Sequence, residues 1–442
     1  MNAKESAVRI VTALRERGRQ AYLVGGCVRD LLLGREPVDF DVATDATPEQ
    51  AIEIFPEAYA IGAQFGVVLV PAGGKGNGHV EVATFRSDIG HSDGRHPDQV
   101  RFSKDPKEDV RRRDFTINGL LLDPITDQVL DFVGGREDIE AKIVRSIGNP
   151  EQRFAEDKLR MLRAVRFAAR FDYRIESATF AAIQKLAPQI LQVSRERIRD
   201  ELTRILIEGH ARRGFLLLDE TGLLHQLLPE IEAMKGVAQP PQFHPEGDVF
   251  VHTLLLLDRL PMPCPPTLAW GALLHDVGKP PTFRVAPDRI RFDDHVEVGV
   301  RMAEEICRHF RFSNEDTKQI LALVENHMRF ADVERMKEST FKRFARLPHF
   351  DEHLELHRLD CLASHGDLSL YEFTRQKRAT MPQSVMRPAP LLTGDDLISA
   401  GYKPGPRFKE ILAAAEDGQL EGKLRTKGEA MNLVLREFPL AQ

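Results

Sequence analysis

The sequence predicts an α/β (α+β) domain at the start of the chain, followed by segments that are entirely α-helical. Over the first 145 residues, apolar runs of strand length alternate with short helical patterns, and Gly-Gly turns separate them. Beyond residue 150, apolar residues recur at helical spacing, as in RFAEDKLRMLRAVRFAARF at 153–171. A chain of 442 residues is long enough for about two to four domains.

The composition is that of an ordinary globular protein, with 42% hydrophobic and 29% charged residues. No apolar run reaches the ~18 residues that a membrane span needs, and residues 1–20 read as an amphipathic helix without a signal-peptide core. The four cysteines are scattered and form no CxxC pair, which favours reduced, buried thiols over a zinc finger. We therefore expect a cytoplasmic protein that contacts no membrane.

The net charge of −6 does not favour a nucleic-acid partner, but the charge is unevenly distributed. Residues 101–213 hold 23 basic and 19 acidic residues, a net charge of +4, whereas the rest of the chain holds 38 and 48, a net charge of −10. A locally basic middle is compatible with a phosphate backbone crossing there.

The chain is organised around residues 22–44, YLVGGCVRDLLLGREPVDFDVAT, in which two strands are predicted at 21–24 and 38–42. Side chains alternate across a strand, so Asp39 and Asp41 would share one face, roughly 7 Å apart, while Phe40 and Val42 face a core. Two carboxylates on one face repel each other unless a cation lies between them, and Mg²⁺ suits such oxygen ligands.

Between these strands, the Gly25-Gly26 turn precedes a short predicted helix whose leucines at 31–33 would pack on a sheet. A glycine turn before a helix leaves backbone N–H groups free to bind phosphate, and Arg29 would add a fixed positive charge one turn later.

The remaining segments of the first 149 residues are predicted in the same way. Thr47, Pro48 and Gln50 indicate a capped helix, and strands at 60–72 and 79–86 flank a turn at 73–78. Glu81, on the second of these strands, is either a third acid near Asp39 and Asp41 or a surface residue. Residues 87–107 are polar and predict a long loop, and 129–149 predict a strand, a Gly-Gly turn and a short helix.

Two arginine-rich segments follow. Three arginines at 111–113 precede Asp114 and Asn118 at the edge of the apolar, β-like run FTINGLLLD. In the predicted helix at 153–171, four arginines share one face, and apolar residues cover the opposite side. The four are Arg160, Arg163, Arg166 and Arg170. Such a stripe is compatible with a solvated face or with a ligand site.

The combination G-G-x-V-R-D-x-L-L-G-x-x-x-x-D-x-D-x-x-T resembles the signature of the nucleotidyltransferase superfamily. The version is that of class II tRNA nucleotidyltransferases (CCA-adding enzymes) and bacterial poly(A) polymerases. The motifs R-R-D-F-T-x-N, with Gly119 in place of the usual alanine, and E-D-x-x-R-x-x-R-x-x-R-F extend the resemblance, as do SRERIRDELTRILIEG at 194–209 and the tail. It implies a catalytic head at 1–145, a helical neck at 146–235, an HD domain at 236–375 and a tRNA-binding tail at 376–442.

The resemblance also implies the roles of individual residues. Asp39 and Asp41 would hold Mg²⁺, with Glu81 as a candidate third catalytic acid. The implied nucleotide-binding residues are Gly25, Gly26, Arg29, Arg112, Arg113, Asn118, Asp157, Arg160, Arg163 and Arg166. Among these, Asp157 and Arg160 would form a protein template, because a carboxylate accepts from the amino group shared by C and A, whereas G and U present a carbonyl there.

A second constellation lies between 243 and 367. His252, the pair His275-Asp276 and Asp360 match the ligand pattern of HD-domain phosphohydrolases, and His295 and His327 resemble the extra ligands of binuclear members. Imidazole and carboxylate ligands suit Mn, Fe, Ni or Zn as well as Mg. The same domain also serves as a spacer in this family, so both interpretations stay open.

The resemblance therefore implies an enzyme that adds C, C and A to the tRNA acceptor end from CTP and ATP, and we expect a monomer or homodimer. Three related alternatives are a CC-adding enzyme, an A-adding enzyme and a poly(A) polymerase. The loop at 87–107 disfavours the first, and the lack of basic residues in GAQFGV at 62–67 disfavours the last. A phosphohydrolase with an inert RNA-binding head, or a non-catalytic RNA-binding scaffold, is the alternative from another class.

Overall fold

The computed structural model describes residues 2–60, 66–72, 78–90, 98–242, 244–287 and 289–440. The chain divides into two compact units, 1–232 and 233–442, which are described separately below. The predicted turn at 73–77, the centre of the predicted loop at 91–97 and most of the GAQFGV segment, 62–65, lie outside the described residues. The four predicted domain boundaries remain predictions.

The first unit begins with a mixed α/β region and continues as a helical region. Its helices are α1 Ala3–Glu16, α2 Gly26–Leu32, α3 Pro48–Ile54, α4 Pro106–Arg111, α5 Gly135–Glu140, α6 Pro150–Glu156, α7 Leu159–Phe171, α8 Ser177–Leu186, α9 Arg195–Ile207, α10 Ala211–Glu220, α11 Leu223–Leu227 and α12 Pro229–Glu232. Its strands are β1 Ala21–Val24, β2 Asp41–Thr44, β3 Val67–Pro71, β4 His79–Thr84, β5 Arg86–Ile89, β6 Gln99–Phe102, β7 Leu120–Asp123, β8 Gln128–Asp131, β9 Ile143–Val144 and β10 Arg174–Ile175.

Six of these strands form one mixed sheet in the order β3-β4-β2-β1-β7-β8. The β2–β4 pair is parallel, and the other neighbours are antiparallel. Val24, Asp41 and Glu81 are aligned across β1, β2 and β4 by the register of the pairs. Because β1 and β2 occupy the middle of the sheet, the segment at 22–44 lies at its centre, and the predicted α/β head is confirmed.

Local sequence explains several of these elements. The Thr47 side chain accepts a hydrogen bond from the Gln50 amide, and the Thr47 amide donates one to Gln50 Oε1, so the predicted capping box opens α3 with Pro48 at its first position. Ile10 and Leu14 of α1 are fully buried, as the amphipathic pattern predicts.

Three details of the predicted head are wrong. The strand predicted at 38–42 begins only at Asp41, because β1 ends at Val24 and leaves residues 38–40 without a pairing partner. In α2 the buried residues are Cys27, Val28 and Arg29 rather than the leucines at 31–33, of which Leu32 is 40% exposed. The ends of the predicted loop at 87–107 form the antiparallel pair β5–β6 and part of α4.

The helix predicted at 153–171 is interrupted. Helix α6 ends at Glu156, Asp157 has extended backbone angles (φ −144°, ψ 105°), and α7 begins at Leu159. The apolar side of α7 is buried as predicted, in contact with α9 and α10. The predicted helix at 194–209 is confirmed as α9, and it packs against the arginine-bearing helix.

The second unit is largely helical. Its helices are α13 Val249–Leu257, α14 Pro266–Leu274, α15 Lys279–Thr282, α16 His295–His309, α17 Asn314–Asn326, α18 Glu338–Ala345, α19 Phe350–Ala363, α20 Ser369–Ala379, α21 Gln383–Met386, α22 Gly394–Ser399, α23 Arg407–Leu420 and α24 Lys427–Glu437. A small antiparallel pair, β11 Phe283–Val285 and β12 Ile290–Phe292, is its exception to the predicted all-α structure. None of the helices among the described residues has both the length and the apolarity that crossing a bilayer requires.

Candidate functional sites

The three predicted carboxylates of the head lie close to one another. Asp41 is the first residue of β2 and is half-buried, and its register partner on β4 is Glu81. Asp39 precedes the strand and is exposed, so strand alternation does not place it beside Asp41. Burial raises the pKa of Asp41 to about 6, and the negative charges of Glu81 and Asp39 contribute in the same direction, although Arg113 opposes them. A carboxylate in this position is incompletely compensated, which is the condition that a bound divalent cation relieves.

The glycine turn lies beneath two guanidinium groups. Gly25 has φ +78° and ψ −131°, angles that residues with a Cβ rarely adopt, and α2 starts at the next residue. A Cβ on Gly25 would lie 3.3 Å from Arg113 Nη1, and one on Gly26 would lie 3.5 Å from Arg29 Nη2. Because neither glycine has a side chain, its backbone lies close to the two guanidinium groups. Backbone N–H groups and positive charge in one small region are what an anion site requires.

Arg29 is held in place from several sides. Its Nη1 donates to Asn118 Oδ1 at 2.5 Å, and its Nη2 lies 2.8 Å from Asp30 Oδ1. The guanidinium carbon lies 4.5 Å from the ring centre of Phe171 and 5.4 Å from that of Phe167. The side chain is almost fully buried, so the predicted fixed positive charge is present.

Arg112 and Arg113 both pair with Asp109, a residue that the sequence analysis did not single out. Arg112 Nη2 lies 2.8 Å from Asp109 Oδ1, and Arg113 Nη2 lies 3.0 Å from Asp109 Oδ2. Burial would raise the pKa of Asp109, but the two arginines outweigh it and lower the pKa. The sequence did contain a signal for this contact, because Asp109 lies three residues before Arg112 and four before Arg113. On a helix, that spacing places the three side chains together near the end of α4.

Arg153, also missed, supports the same two arginines from the neck. Its Nη2 donates to the carbonyl oxygen of Arg113 at 2.8 Å and also to that of Arg112. Nothing in the spacing of the sequence indicates this contact, since 40 residues separate the partners.

Asn118 and Asp114 connect the head to helix α7. Asn118 Nδ2 donates to Asp114 Oδ1 at 3.1 Å, and Arg163 Nη2 donates to Asp114 Oδ2 at 2.6 Å. Burial would raise the pKa of Asp114, but Arg163 and the hydrogen bond from Asn118 lower it well below its usual range. The chain Arg29–Asn118–Asp114–Arg163 therefore joins the glycine turn to the arginine face of α7.

Asp157 occupies the break between α6 and α7. Its Oδ1 accepts from the Leu159 amide at 3.1 Å, and its Oδ2 accepts from Arg197 Nη2 at 2.9 Å. Arg160 donates from Nη1 to Glu156 Oε2 at 2.8 Å. Both residues of the predicted base template are therefore fixed by neighbours in α6, α7 and α9.

The other arginines of the predicted stripe also pair within the protein. Arg166 is buried and donates to Glu201 Oε2 at 2.7 Å and to Glu208 Oε2 at 3.1 Å. Arg170 lies 3.4 Å from Glu208. Glu201, on α9, is 4% exposed and pairs with this stripe.

A cavity of about 460 Å³ brings these residues together, a size that suits a small-molecule ligand. It is lined by Gly25, Gly26, Arg29, Asp41, Arg112, Arg113, Asp114, Asn118, Asp157, Arg160, Arg163, Arg166 and Phe167. All ten of the predicted nucleotide-binding residues line it, together with Asp41. Asp39 and Glu81 are near Asp41 but outside the lining.

The second unit contains a cluster of buried histidines and carboxylates, here called the histidine cluster. One group consists of His252, His275 and Asp360, and the other of Asp276, His295 and His327. Within each group the ligand atoms lie within 4.8 Å of one another. All six residues that the sequence singled out are thus brought together from five separate segments.

The four histidines share one hydrogen-bonding pattern, in which Nδ1 is engaged and Nε2 is not. Nδ1 of His275, His295 and His327 lies 2.7–2.9 Å from the backbone carbonyl oxygen three residues earlier. A carbonyl only accepts, so these Nδ1 atoms carry the proton and each Nε2 has a free lone pair. Among the described residues, no Nε2 of the four has a hydrogen-bond partner.

Several unpaired nitrogens face carboxylates at short range. His252 Nε2 lies 3.1 Å from Asp360 Oδ1, and His275 Nε2 lies 3.1 Å from Asp276 Oδ2. Burial lowers the pKa of His327 to about 4, which keeps it neutral. Burial would also lower the pKa of His252, but Asp360 and Glu246 outweigh it and raise the pKa to about 9, so a cation that binds there displaces a proton. Imidazoles and ionised carboxylates that converge in this way fit one or two divalent cations of the Mn, Fe, Ni or Zn type.

A cavity of about 500 Å³ adjoins this cluster. His295, His327 and Asp360 form part of its wall, and Lys279 and His244 also line it. Lys279 Nζ lies 2.8 Å from Asp276 Oδ2 and donates to Gln239 Oε1 at 2.7 Å. The site therefore has room for a ligand beside the predicted metal-binding atoms.

Comparison with known families matches three segments of the chain. Residues 21–145 match the poly A polymerase head domain, 172–235 match the family described as a probable RNA and SrmB binding site of polymerase A, and 251–362 match the HD domain. The first segment contains the glycine turn with its carboxylates, the second contains α9, which packs against α7, and the third contains the histidine cluster.

Curated relatives of similar sequence include two CCA-adding enzymes. The enzyme of Lactococcus lactis subsp. lactis is 42% identical over 224 residues, 50% of this chain and 56% of that protein. The enzyme of Geobacillus stearothermophilus is 42% identical over 219 residues, 50% of this chain and 53% of that protein. The matched part thus spans slightly more than half the length of these relatives.

A solved structure matches over nearly the full length. It is the crystal structure of the Bacillus stearothermophilus CCA-adding enzyme in complex with CTP, 29% identical to this chain. The match covers 99% of this chain and 98% of that one, with a TM-score of 0.75.

Proposed function

We propose that this chain, a member of the family of CCA-adding enzymes and poly(A) polymerases, adds C, C and A to the 3′ end of tRNA from CTP and ATP. The observation that carries the proposal is the cavity that combines a glycine turn, six arginines and Asp157 with the carboxylate Asp41. Binding of a triphosphate requires positive charges, and selection of a base requires a nearby side chain that forms hydrogen bonds with it. Both are present in one space of nucleotide size.

The carboxylates would hold the metal. Asp39 and Asp41 are the proposed Mg²⁺ ligands, and Glu81 is the third acid beside them. When bound, the cation positions the triphosphate and lowers the pKa of the attacking 3′-hydroxyl. The raised pKa of Asp41 supports this assignment, because burial and the nearby negative charge of Glu81 and Asp39 make its ionised form costly until a cation binds.

Six residues would bind the triphosphate and ribose. The backbone at Gly25 and Gly26 is accessible beneath Arg29 and Arg113, while Arg112 lines the same cavity. Arg29 and Arg113 are already ordered by Asn118 and Asp109, so little side-chain entropy is lost when phosphate binds. Asn118 also lines the cavity and is the proposed contact to the ribose.

Base selection would depend on Asp157 and Arg160, with Arg163 and Arg166 behind them. Each carboxylate oxygen of Asp157 accepts one hydrogen bond, from Leu159 or Arg197, and retains a second acceptor position. It can therefore accept from the amino group that C and A share. G and U would bring a carbonyl oxygen against it, which is repulsive.

The proposed polynucleotide partner is the tRNA acceptor end, bound by shape and phosphate contacts from the neck and the carboxy-terminal tail. The tail has its own core, which includes Leu397, Ile411 and Val434, and carries lysines and arginines on its surface. The proposed enzyme is cytoplasmic and works as a monomer or homodimer.

One assay tests this function against its relatives. Purified protein is incubated with Mg²⁺, one labelled nucleotide at a time, and tRNA that lacks CCA, ends in C or ends in CC. A CCA-adding enzyme adds C to the first two and A only to the third. Addition of A alone indicates an A-adding enzyme, long A tails indicate a poly(A) polymerase, and no addition contradicts the proposal.

A second candidate activity, metal-dependent phosphate-ester hydrolysis, is favoured by the histidine cluster. His252, His275, Asp276 and Asp360, with His295 and His327, would hold one or two divalent cations beside the adjoining cavity. When bound, the cation supplies an activated water. Hydrolysis of a generic phosphodiester is measured with Mn²⁺, Ni²⁺, Co²⁺ or Mg²⁺, and no hydrolysis with any of them identifies the domain as a spacer.

A further inference from the structure

His252 differs from the other three histidines of the cluster in the group that engages its Nδ1. The other three use a backbone carbonyl oxygen, whereas His252 Nδ1 lies 2.7 Å from Oε1 of Glu246. Glu246 is outside the set that sequence reasoning singled out, and it lies six residues before His252. A carboxylate in this position is a stronger acceptor than a carbonyl, because the hydrogen bond is charge-assisted.

Glu246 is itself firmly placed. Its side chain is 5% exposed, and Oε1 also lies 2.9 Å from His244 Nδ1. The segment that carries it is closed by a bridge between Ala238 and Asp248 and by a hydrogen bond from the Gln239 amide to the Gly247 carbonyl at 3.0 Å. Asp248 then caps α13, on which His252 lies. The acceptor and the histidine are therefore fixed relative to each other.

The position of Asp360 explains why this acceptor matters. Asp360 Oδ1 is only 3.1 Å from His252 Nε2. If Nδ1 had no acceptor, the ring would favour the tautomer with the proton on Nε2, facing Asp360. That proton would occupy the lone pair that a cation needs and would engage a carboxylate ligand as well. An acceptor at Nδ1 keeps the proton on the other side of the ring.

We propose that Glu246 is a positioning residue that presents Nε2 of His252 to a divalent cation shared with His275 and Asp360. The inference rests on the proposed metal-dependent function of the second unit and deepens it. Glu246 does not touch the cation. It fixes the tautomer and the ring orientation of one ligand, and it makes that ligand a better donor.

Binding of Mn²⁺ alone to the full-length protein tests this inference. The parent carries Asp41→Asn to weaken binding at the head, and free Mn²⁺ is counted by electron paramagnetic resonance. His275→Ala, which removes a ligand, defines the binding that belongs to the cluster. Glu246→Ala should weaken that binding about 10- to 100-fold. Glu246→Gln, which keeps a neutral acceptor, should weaken it about three- to tenfold.

Glu232 provides a matched control. Its Oε2 lies 2.6 Å from His225 Nδ1, so the two residues form the same type of pair, but neither belongs to the histidine cluster. Glu232→Gln should leave Mn²⁺ affinity unchanged. If Glu246→Ala binds Mn²⁺ as tightly as the parent does, the inference is overturned. If the alanine variant does not fold, Glu246→Gln is used instead, and Mn²⁺ affinity equal to that of the parent overturns the inference. Loss of all binding in Glu246→Ala while His275→Ala still binds would make Glu246 a ligand, with His244 and His252, and also overturns it.

The same experiment separates this inference from the function on which it rests. If the parent, His275→Ala and Glu246→Ala all bind Mn²⁺ equally, the cluster holds no metal, and the second candidate activity fails together with the role of Glu246. If the parent binds through His275 and the Glu246 variants bind as well as it does, only the role of Glu246 fails.

Discussion

The arginine-lined cavity of the first unit and the histidine cluster of the second are both rich in ionisable side chains, but their charges are compensated differently. In the cavity, each arginine pairs with a carboxylate or a carbonyl of the protein, as Arg113 does with Asp109 and Arg163 with Asp114. In the cluster, the ring nitrogens that point inward have no hydrogen-bond partner among the described residues.

This difference indicates which type of ligand each site is suited to bind. Paired charges keep their positions without a ligand, so the cavity is ordered in advance and can receive an anionic triphosphate with little rearrangement. Buried acceptors without partners each reduce stability, so a protein retains several together only where something else satisfies them. A cation bound to the histidine cluster would do so.

The largest expected effect comes from the carboxylates of the head. Asp41→Ala should reduce nucleotide addition by about a thousandfold or more, because the metal supplies several kcal/mol of charge stabilisation. Asp39→Ala should act in the same direction. The measurement is single-nucleotide addition to tRNA lacking CCA, together with tRNA binding, which should be nearly unchanged.

Glu53→Ala is the matched control for these variants, since Glu53 is an exposed carboxylate on α3 in the same region. It should retain full activity. An Asp39 or Asp41 variant that keeps a tenth of the wild-type rate would contradict the two-carboxylate assignment.

The second largest effect tests the independence of the histidine cluster. His275→Ala combined with Asp276→Ala should lower metal-dependent phosphodiester hydrolysis at least about a hundredfold, because it removes a ligand from each group. Nucleotide addition should stay within about threefold, since those ligands belong to the other unit. Substitution of the exposed His225 by alanine should change neither activity, and a parallel loss of both would indicate that the two sites depend on each other.

The third effect concerns base choice. Asp157→Ala should slow addition of C and A about 10- to 150-fold, the value of one charge-assisted hydrogen bond of ~1.5–3 kcal/mol. Addition of U or G should fall less, or rise, because the repulsion against their carbonyl oxygen is also removed. Rates with all four nucleotides on tRNA lacking CCA measure this selectivity.

The contact between Asp157 and Arg197 provides the control for that experiment. Arg197→Met leaves the carboxylate in place but removes its partner, so it should change all four rates by a similar, smaller factor. If Asp157→Ala also lowers all four rates equally, Asp157 is a structural partner of Arg197 and does not select the base.

The residues of the cavity could be predicted because they belong to short sequence motifs. The Gly25-Gly26 turn before α2 and the pair Asp39 and Asp41 follow from short-range sequence rules. The strand boundary at 38–40 could not be predicted, since it depends on where β1 ends and thus on which strand pairs with it. The break at Asp157 was missed for a similar reason, because the flanking residues all favour helix.

The partners of the site residues were harder to predict than the residues themselves. Glu246 and Arg153 act on groups that the sequence identified, but a carboxylate or a guanidinium has many eligible partners and only the fold selects one. The spacing of His275 and Asp276 marked an HD site, whereas nothing marked Glu246 as the acceptor for His252. Tertiary contacts decide such pairs, and local pattern does not contain them.

The smallest expected effect is a change in the pH dependence of stability in the second unit. Burial, with the nearby positive charges of Arg329 and His349, lowers the pKa of His353 to about 4 from its usual 6.5. Between these values the unfolded chain binds a proton that the folded chain does not, so stability is complete above pH 6.5 and falls as the pH drops toward 4. One such histidine contributes a slope of up to about 1.4 kcal/mol per pH unit.

His353→Leu should remove that contribution, while His327 and His357, whose pKa values are also lowered to about 4, keep part of the slope. Urea unfolding at pH 4.5, 5.5 and 6.5 with a chelator measures it, and Trp270, the single tryptophan, reports on this unit because it is buried in α14. His349→Gln removes one of the positive charges that lower the pKa of His353, but from an exposed position, so it should change the slope far less than His353→Leu. Equal slopes in the wild type and His353→Leu would show that His353 takes up its proton without unfolding, and the buried, unpaired state of its ring would then be wrong.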